Sequence, residues 1–409
     1  MGRSIKWAVL SVLGLVLVSS GTAANQSASR VAGAQTFLVD VDGTPKSANL
    51  GFDAYFPKAT TIHAGDTVKF HWAGVGEPHT TTFGTYADQA VLAYNHLTPA
   101  QRQSQNPPKA FLALDSRVPS LFPAGPGDAI QSVSNPCYQQ SGSVGTALCP
   151  NSQHEQPDFN GREVYYNSGW PDSGGNWSVR FSPSLSPGQY RFFCALHREG
   201  MSGKITVAPA SKTIMSPSAQ YALGQKQLGK ESAVLADAVA ATRQGEAPIP
   251  GITIPGANHV LVGSGLPNAV GSIYEYGPKK IEIPVGGSVI FWVIGGHSIT
   301  FNSDSSNDDI RKVAPDGTVN LNPPAVMNVN SPGQPGGGVG GRGGGSEPNR
   351  INFKVVASKT WDGQRFLNTG IWFSGPPVIN GYKLTFSKTG TYHYLCTIHD
   401  HMKGTVIVG

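Results

Sequence analysis

Near its C-terminus the chain places a thiol, an imidazole and a thioether within seven residues, Cys396-Thr397-Ile398-His399-Asp400-His401-Met402, although it has only four cysteines and five methionines in 409 residues. Sulfur donors favour Cu(I) and imidazole accepts both oxidation states of copper. A plane of two histidines and one cysteine, with a weak methionine above it, is therefore the ligand set of a one-electron copper site. One histidine is missing from this stretch and must come from elsewhere in the fold. Zinc suits the stretch less well, because it takes four nitrogen, sulfur or carboxylate ligands and gains nothing from methionine.

A second copy lies upstream, as Cys194-x₂-His197-x₃-Met201. Each copy sits between strand-like runs, at 188–207 and at 390–408. Each is preceded by the same series of features. A strand, Gly-containing turn and strand at 59–72 leads into Glu77-Pro78-His79-Thr80-Thr81-Thr82-Phe83, and its counterpart at 280–292 leads into Gly295-Gly296-His297-Ser298-Ile299-Thr300-Phe301. Asn167-Ser168-Gly169 recurs as Asn368-Thr369-Gly370, with 25 residues from Gly169 to Cys194 and 26 from Gly370 to Cys396. Such agreement indicates duplicated domains. The upstream histidines complete the ligand sets: His79, Cys194, His197 and Met201 in the first half, and His297, Cys396, His399 and Met402 in the second. His401 is read as an exposed loop histidine rather than a ligand. Trp170 and Trp372, just after the repeated Asn-Ser/Thr-Gly, are read as aromatics packing the core or the site.

The rest of the chain must position these groups. A length of 409 residues suggests two domains. Fifty-one glycines, 31 prolines and only 13% charged residues favour turn-rich β structure. Between the halves the pattern turns helical over about 218–245, with Ser216 or Ser218 as N-cap and Pro248 and Pro250 ending it, which predicts a packed helical linker. An insertion at 86–161 carries a short predicted helix at 99–103, an apolar island at 110–114, and Cys137 and Cys149, expected to pair. The second insertion, 302–350, is glycine-rich and too poor in apolar residues to order itself.

Arg3 and Lys6 followed by an apolar run and small residues to Ala24 predict a signal peptide, 1–24. Export implies an oxidising compartment, where Cys194 and Cys396 stay unpaired because they serve as ligands. With those two cations removed the formal charge falls from +5 to +3, too small and too dispersed to indicate nucleic acid.

Both halves resemble the cupredoxins, the type 1 (blue) copper family of plastocyanin, azurin and amicyanin. The resemblance rests on His79 and His297 after a strand, on the two Cys-x₂-His-x₂₋₃-Met loops, and on the strand after each loop. The shorter second loop resembles the amicyanin type, and the extra residue before Met201 departs from it. The resemblance implies an all-β chain of two tandem cupredoxin-like Greek-key β-sandwiches, 35–209 and 251–409, joined by the helical linker 210–250. It implies two type 1 copper ions and one-electron exchange with redox partner proteins of the cell envelope. The protein is expected to be secreted, periplasmic or on the envelope exterior, with no membrane span after signal cleavage. A multicopper enzyme, nitrite reductase or laccase-like, is the competing reading, and copper scavenging or storage is a third. In those enzymes a histidine beside the type 1 cysteine leads to a catalytic copper. Here the neighbours are Phe193 and Ala195, and Leu395 and Thr397, so an electron carrier without catalytic residues is favoured over an enzyme.

Overall fold

The computed structural model describes residues 33–44, 49–74, 79–103, 108–115, 136–139, 156–249, 251–266, 269–303, 311–313, 319–321, 351–376, 378–399 and 401–409. The expected signal peptide, Cys149 and the glycine-rich stretch at 335–346 lie outside these residues.

Alternation of apolar and polar side chains generates the strands of the first half. These are β1 (Thr36–Val41), β2 (Leu50–Phe52), β3 (Tyr55–Phe56), β4 (Ala59–His63), β5 (Thr67–Trp72), β6 (Thr82–Phe83), β7 (Pro136–Gln139), β8 (Tyr165–Ser168), β9 (Asn176–Arg180), β10 (Gly188–Cys194) and β11 (Arg198–Ala208). In β5, for example, Val68, Phe70 and Trp72 are buried while Thr67, Lys69 and His71 are partly exposed, the period-two pattern of a strand with one wet face. One sheet runs β3-β1-β5-β9 and the other β4-β11-β10-β6-β8-β7. Val39, Val41 and Phe70 of the first share a core with Ile62, Phe83, Phe192 and Ile205 of the second.

Helices α1 (Thr85–His96), α2 (Pro99–Gln103) and α3 (Lys109–Asp115) belong to the first insertion. The sequence reading expects one of them, at 99–103. α1 forms because Tyr86, Ala87, Ala90 and Val91 make one buried stripe, and Tyr86, Ala87 and Val91 pack with Cys137, Tyr165 and Phe193. The insertion is thereby fastened to the site-bearing sheet, with Asp88 paired to Arg191 of β10 at 3.0 Å.

Two helices connect the halves. In α4 (Pro217–Val234), Ser216 caps the N-terminus by accepting from the Ala219 N–H, and Pro217 occupies the first turn. Gln220 of α4 bonds both backbone groups of Thr61, and Tyr221 and Gln225 donate to Asp40 of β1. After it, α5 (Ala236–Gln244) packs Ala238 and Val239 beside Ile273 and closes with Gly245 in the left-handed conformation. Arg243 pairs with Glu275.

The second half contains β12 (His259–Gly265), β13 (Gly271–Gly277), β14 (Lys280–Ile283), β15 (Ser288–Val293), β16 (Gly295–His297), β17 (Thr300–Phe301), β18 (Arg311–Val313), β19 (Val319–Leu321), β20 (Asn352–Trp361), β21 (Leu367–Asn368), β22 (Trp372–Ser374), β23 (Val378–Phe386), β24 (Gly390–Leu395) and β25 (Lys403–Val408). Its sheets run β2-β13-β12-β15-β23-β20 and β14-β25-β24-β17-β21. β12 lies parallel to β15 as β1 lies parallel to β5. The duplication is thus structural, and the chain is the all-β tandem sandwich its sequence predicts. The register corrects one detail: Val41 faces Trp72 and Val262 faces Val293, so the counterpart of Trp72 is Val293, and Trp292 matches His71.

β2 belongs to the first half in sequence and to the second in pairing. It adds to the edge of the second half's sheet, Phe52 opposite Gly271, Gly51 opposite Ser272 and Leu50 opposite Ile273. A Cβ on Gly51 would lie 2.0 Å from the Tyr274 ring, so this close approach requires glycine.

Candidate metal centres

Each half brings its upstream histidine and its loop together at one end of the sandwich. In the first, His79 precedes β6 and the Cys194-to-Met201 loop joins β10 to β11. A register shift falls between Phe193 and Cys194, and Arg198 takes a left-handed backbone, φ 57°, which turns the chain sharply enough to present Cys194 and His197 to the same point. In the second, the loop lies between β24 and β25 and is closed by the Cys396 N–H donating to Met402 O (3.0 Å) and the Met402 N–H to His399 O (3.3 Å). The extra residue of the first loop puts Met201 inside β11, whereas Met402 precedes β25.

In centre 1 the Nδ1 atoms of His79 and His197 are 3.1 Å apart, and Cys194 Sγ is 3.9 and 3.7 Å from them. In centre 2 the Nδ1 atoms of His297 and His399 are 2.9 Å apart, and Cys396 Sγ is 3.9 and 3.5 Å away. Bonds of roughly 2.0–2.1 Å to nitrogen and 2.3 Å to sulfur at near-tetrahedral angles separate donors by about 3.3 and 3.5 Å. Both triads fit a single ion held by three convergent donors. The two cysteines are fully buried, as are Met201 (0% exposed) and Met402 (1%), which share the surrounding core with them. Among the described residues the free cysteines are Cys194 and Cys396. His401 is exposed, with φ 66°.

The donors are fixed by contacts that recur in both halves. The Thr80 and Ser298 N–H groups each lie 3.4 Å from the cysteine sulfur. The hydroxyls of the same two residues accept from the N–H after each cysteine, Ala195 at 2.8 Å and Thr397 at 2.9 Å. Tyr55 and Tyr276 donate to the carbonyls of Thr80 and Ser298. The repeated Asn-Ser/Thr-Gly also gains a purpose. Thr82 and Thr300 hydroxyls bond Asn167 and Asn368, while the Ser168 and Thr369 hydroxyls accept from the Thr81 and Ile299 N–H groups. Sequence reading named the two His₂Cys triads that the fold brings together but missed Thr80, Ser298, Tyr55 and Tyr276, whose identical places in the two repeats were a usable signal. Trp372 is buried and donates to Thr369 O; Trp170 packs against the core edge.

Electrostatics separate the centres. Burial opposes a charge on His79, but its hydrogen bond to Asp42 and the sulfur of Cys194 override burial and hold its pKa at about 10. Burial raises the Cys194 thiol pKa, yet His197 and His79 bring it well below the usual thiol range. In centre 2 burial outweighs the opposing hydrogen bonds, pushing Cys396 up and His297 down to about 3. His399 is also depressed well below its ordinary value, by burial and then by the like charges of His297, His197 and His79.

These directions predict how the metal-free protein responds to pH. An unfolded histidine titrates near 6.5. As the pH falls from there toward 3, the unfolded chain takes up a proton that folded His297 refuses, so stability is lost in that window. His79 acts in the opposite sense: its contribution is complete below 6.5 and disappears as the pH rises through about 10. Thermal melts of the metal-free protein are expected to show a lower Tm at pH 4 than at pH 7, and the acid arm to flatten in His297→Asn.

No family model matches the chain, and no curated protein matches it. Solved structures with a similar fold include a dithionite-reduced auracyanin from Roseiflexus castenholzii, 18% identical over 42% of this chain and 97% of that one, TM-score 0.23. A copper-containing nitrite reductase from Thermus scotoductus is 12% identical over 92% and 99%, TM-score 0.22. A blue copper oxidase from Nitrosomonas europaea is 11% identical over 92% and 86%, TM-score 0.18. These scores are too low to carry an argument about chemistry.

Proposed function

We propose that this chain is an exported tandem cupredoxin-like protein that holds two type 1 copper ions and passes single electrons between redox partners of the cell envelope. One observation carries the reading: two His₂Cys triads of matching dimensions, buried except for the partly exposed His197, each cysteine sharing its core with a buried methionine. Copper bound there would supply one-electron chemistry by alternating between Cu(I) and Cu(II).

The protein residues hold the donors still. Thr80 and Ser298 tie the histidine strand to the cysteine loop, and the surrounding core shields every donor of the triads but the partly exposed His197. A donor set already at bonding separations has little to rearrange when the charge of its ion changes. The residues flanking each cysteine, Phe193, Ala195, Leu395 and Thr397, provide no side-chain ligand for a further metal, which supports a carrier rather than a multicopper enzyme.

Optical spectra and copper analysis of wild type, Cys194→Ser, Cys396→Ser and the double variant test this. Each single variant is expected to lose one intense visible thiolate-to-Cu(II) band and one copper, and the double variant to lose both. A band surviving in the double variant, or no band in the copper-loaded wild type, contradicts the assignment. Consumption of oxygen or nitrite by the pure protein would overturn the carrier reading in favour of an enzyme.

A further inference from the structure

The inference rests on the two-copper reading above and concerns how the two centres differ. The repeats superpose by register: the Ala73 N–H bonds Val41 O as the Ile294 N–H bonds Val262 O. Tyr55 occupies the place of Tyr276, each opposite that valine and each bonded to the residue after the upstream histidine. Two equivalences follow. Asp42, one residue after Val41, corresponds to Gly263, one residue after Val262. Asp53, two residues before Tyr55, corresponds to Tyr274. The backbone confirms the first, since Asp42 has φ 60° and Gly263 φ 72°.

At centre 1 both imidazoles have a carboxylate behind them. Asp42 Oδ2 lies 3.3 Å from His79 Nε2, and its Oδ1 accepts from the Gly43 and Phe52 N–H groups. Two backbone N–H donors, with a third from His79 in the tautomer that carries its proton on Nε2, match an acceptor-only carboxylate and oppose the burial that raises its pKa. Gly74 makes room for it, because a Cβ there would lie 2.1 Å from Oδ2. Asp53 Oδ1 lies 3.5 Å from His197 Nε2. At centre 2 neither position bears a carboxylate. The His297 ring fills the space a side chain at 263 would need, 1.9 Å from that Cβ, and His399 stacks on Tyr274 with centroids 3.9 Å apart and planes 15° apart.

We propose that Asp42, assisted by Asp53, makes the centres unequal: centre 1 favours the dication, and centre 2, backed by glycine and an aromatic ring, favours the monocation. A carboxylate behind a ligating imidazole fixes its tautomer, raises its basicity and places negative charge near the ion. The last two effects favour Cu(II) over Cu(I). An apolar, uncharged surround has the reverse preference. Asp42 is a positioning residue, acting through His79.

Redox titration at constant pH, followed by the visible band of each single-centre protein (Cys396→Ser retains centre 1, Cys194→Ser retains centre 2), is the test. Centre 1 is expected to have the lower midpoint potential. Asp42→Asn, a residue that tolerates the left-handed backbone, is expected to raise that midpoint and to weaken Cu(II) binding at centre 1 by about 10- to 100-fold. Centre 2 of the same chain should keep its spectrum and midpoint, which distinguishes an electrostatic effect from misfolding. Asp53→Asn should shift centre 1 in the same direction but less, since Asp53 is 46% exposed. Equal midpoints, a higher midpoint at centre 1, or an unmoved centre 1 in Asp42→Asn overturn the inference while leaving the two-copper reading intact. Failure of both single-centre proteins to bind copper overturns both.

Discussion

Replacing Gly263 by alanine is expected to abolish metal binding at centre 2 and to leave centre 1 filled. The new Cβ would lie 1.9 Å from His297 Nε2 and 2.6 Å from Ile294 O. Neither distance is tolerable, and neither neighbour yields easily. The ring is buried in the core and its Nδ1 must stay 2.9 Å from that of His399 for the donors to converge. The carbonyl belongs to the backbone just before the ligand strand. The left-handed φ of 72° adds about 1–2 kcal/mol of strain for any residue with a Cβ. The imidazole is the group most able to leave, and the centre is lost with it. Copper analysis should therefore fall from two ions to one in Gly263→Ala and to none in Gly263→Ala with Cys194→Ser. The equivalent position in the first half gives the opposite result: Asp42→Gly suits the backbone and should retain copper, with altered affinity.

Phe52→Ala should have the largest effect on stability. Phe52 is fully buried on β2 and packs edge-on against Phe56 with centroids 5.8 Å apart. It shares a cluster with Leu50, Leu235, Ala238, Val239 and Ile273, residues drawn from both halves and from the connecting helices. Truncating a buried phenylalanine costs about 3–5 kcal/mol. The loss falls at the junction, so it should loosen β2 from β13 as well as lower the overall Tm. Calorimetry is the check: wild type is expected to unfold with the halves coupled, and Phe52→Ala to split the endotherm. An unsplit endotherm with unchanged Tm would show that the junction contributes little. Because the Phe52 N–H also donates to Asp42, the variant should disturb centre 1 more than centre 2.

The two His₂Cys triads were legible in the sequence because chemistry restricts such donor sets. Few patterns place cysteine, histidine and methionine within seven or eight residues twice, each after an upstream histidine and a strand, and the alternation in β5 and β15 made the sandwiches readable as well. What was not legible depends on register and backbone conformation. Asp42 and Gly263 look unrelated until Val41 and Val262 are paired with their neighbouring strands, and Asp42-Gly43 reads locally as a turn without showing that its carboxylate meets His79. β2 is three residues long and has no period of its own, so its crossing to the other half's sheet is decided by Gly51 admitting Tyr274. α1 was missed for a different reason. Its stripe of Tyr86, Ala87, Ala90 and Val91 is present in the sequence, but it lies in a stretch whose proline, glutamine and serine content suggested loop.

The most direct test of the two-centre account is the number of copper ions retained per chain after loading the purified protein and removing excess metal. The account predicts two. One or none would contradict it.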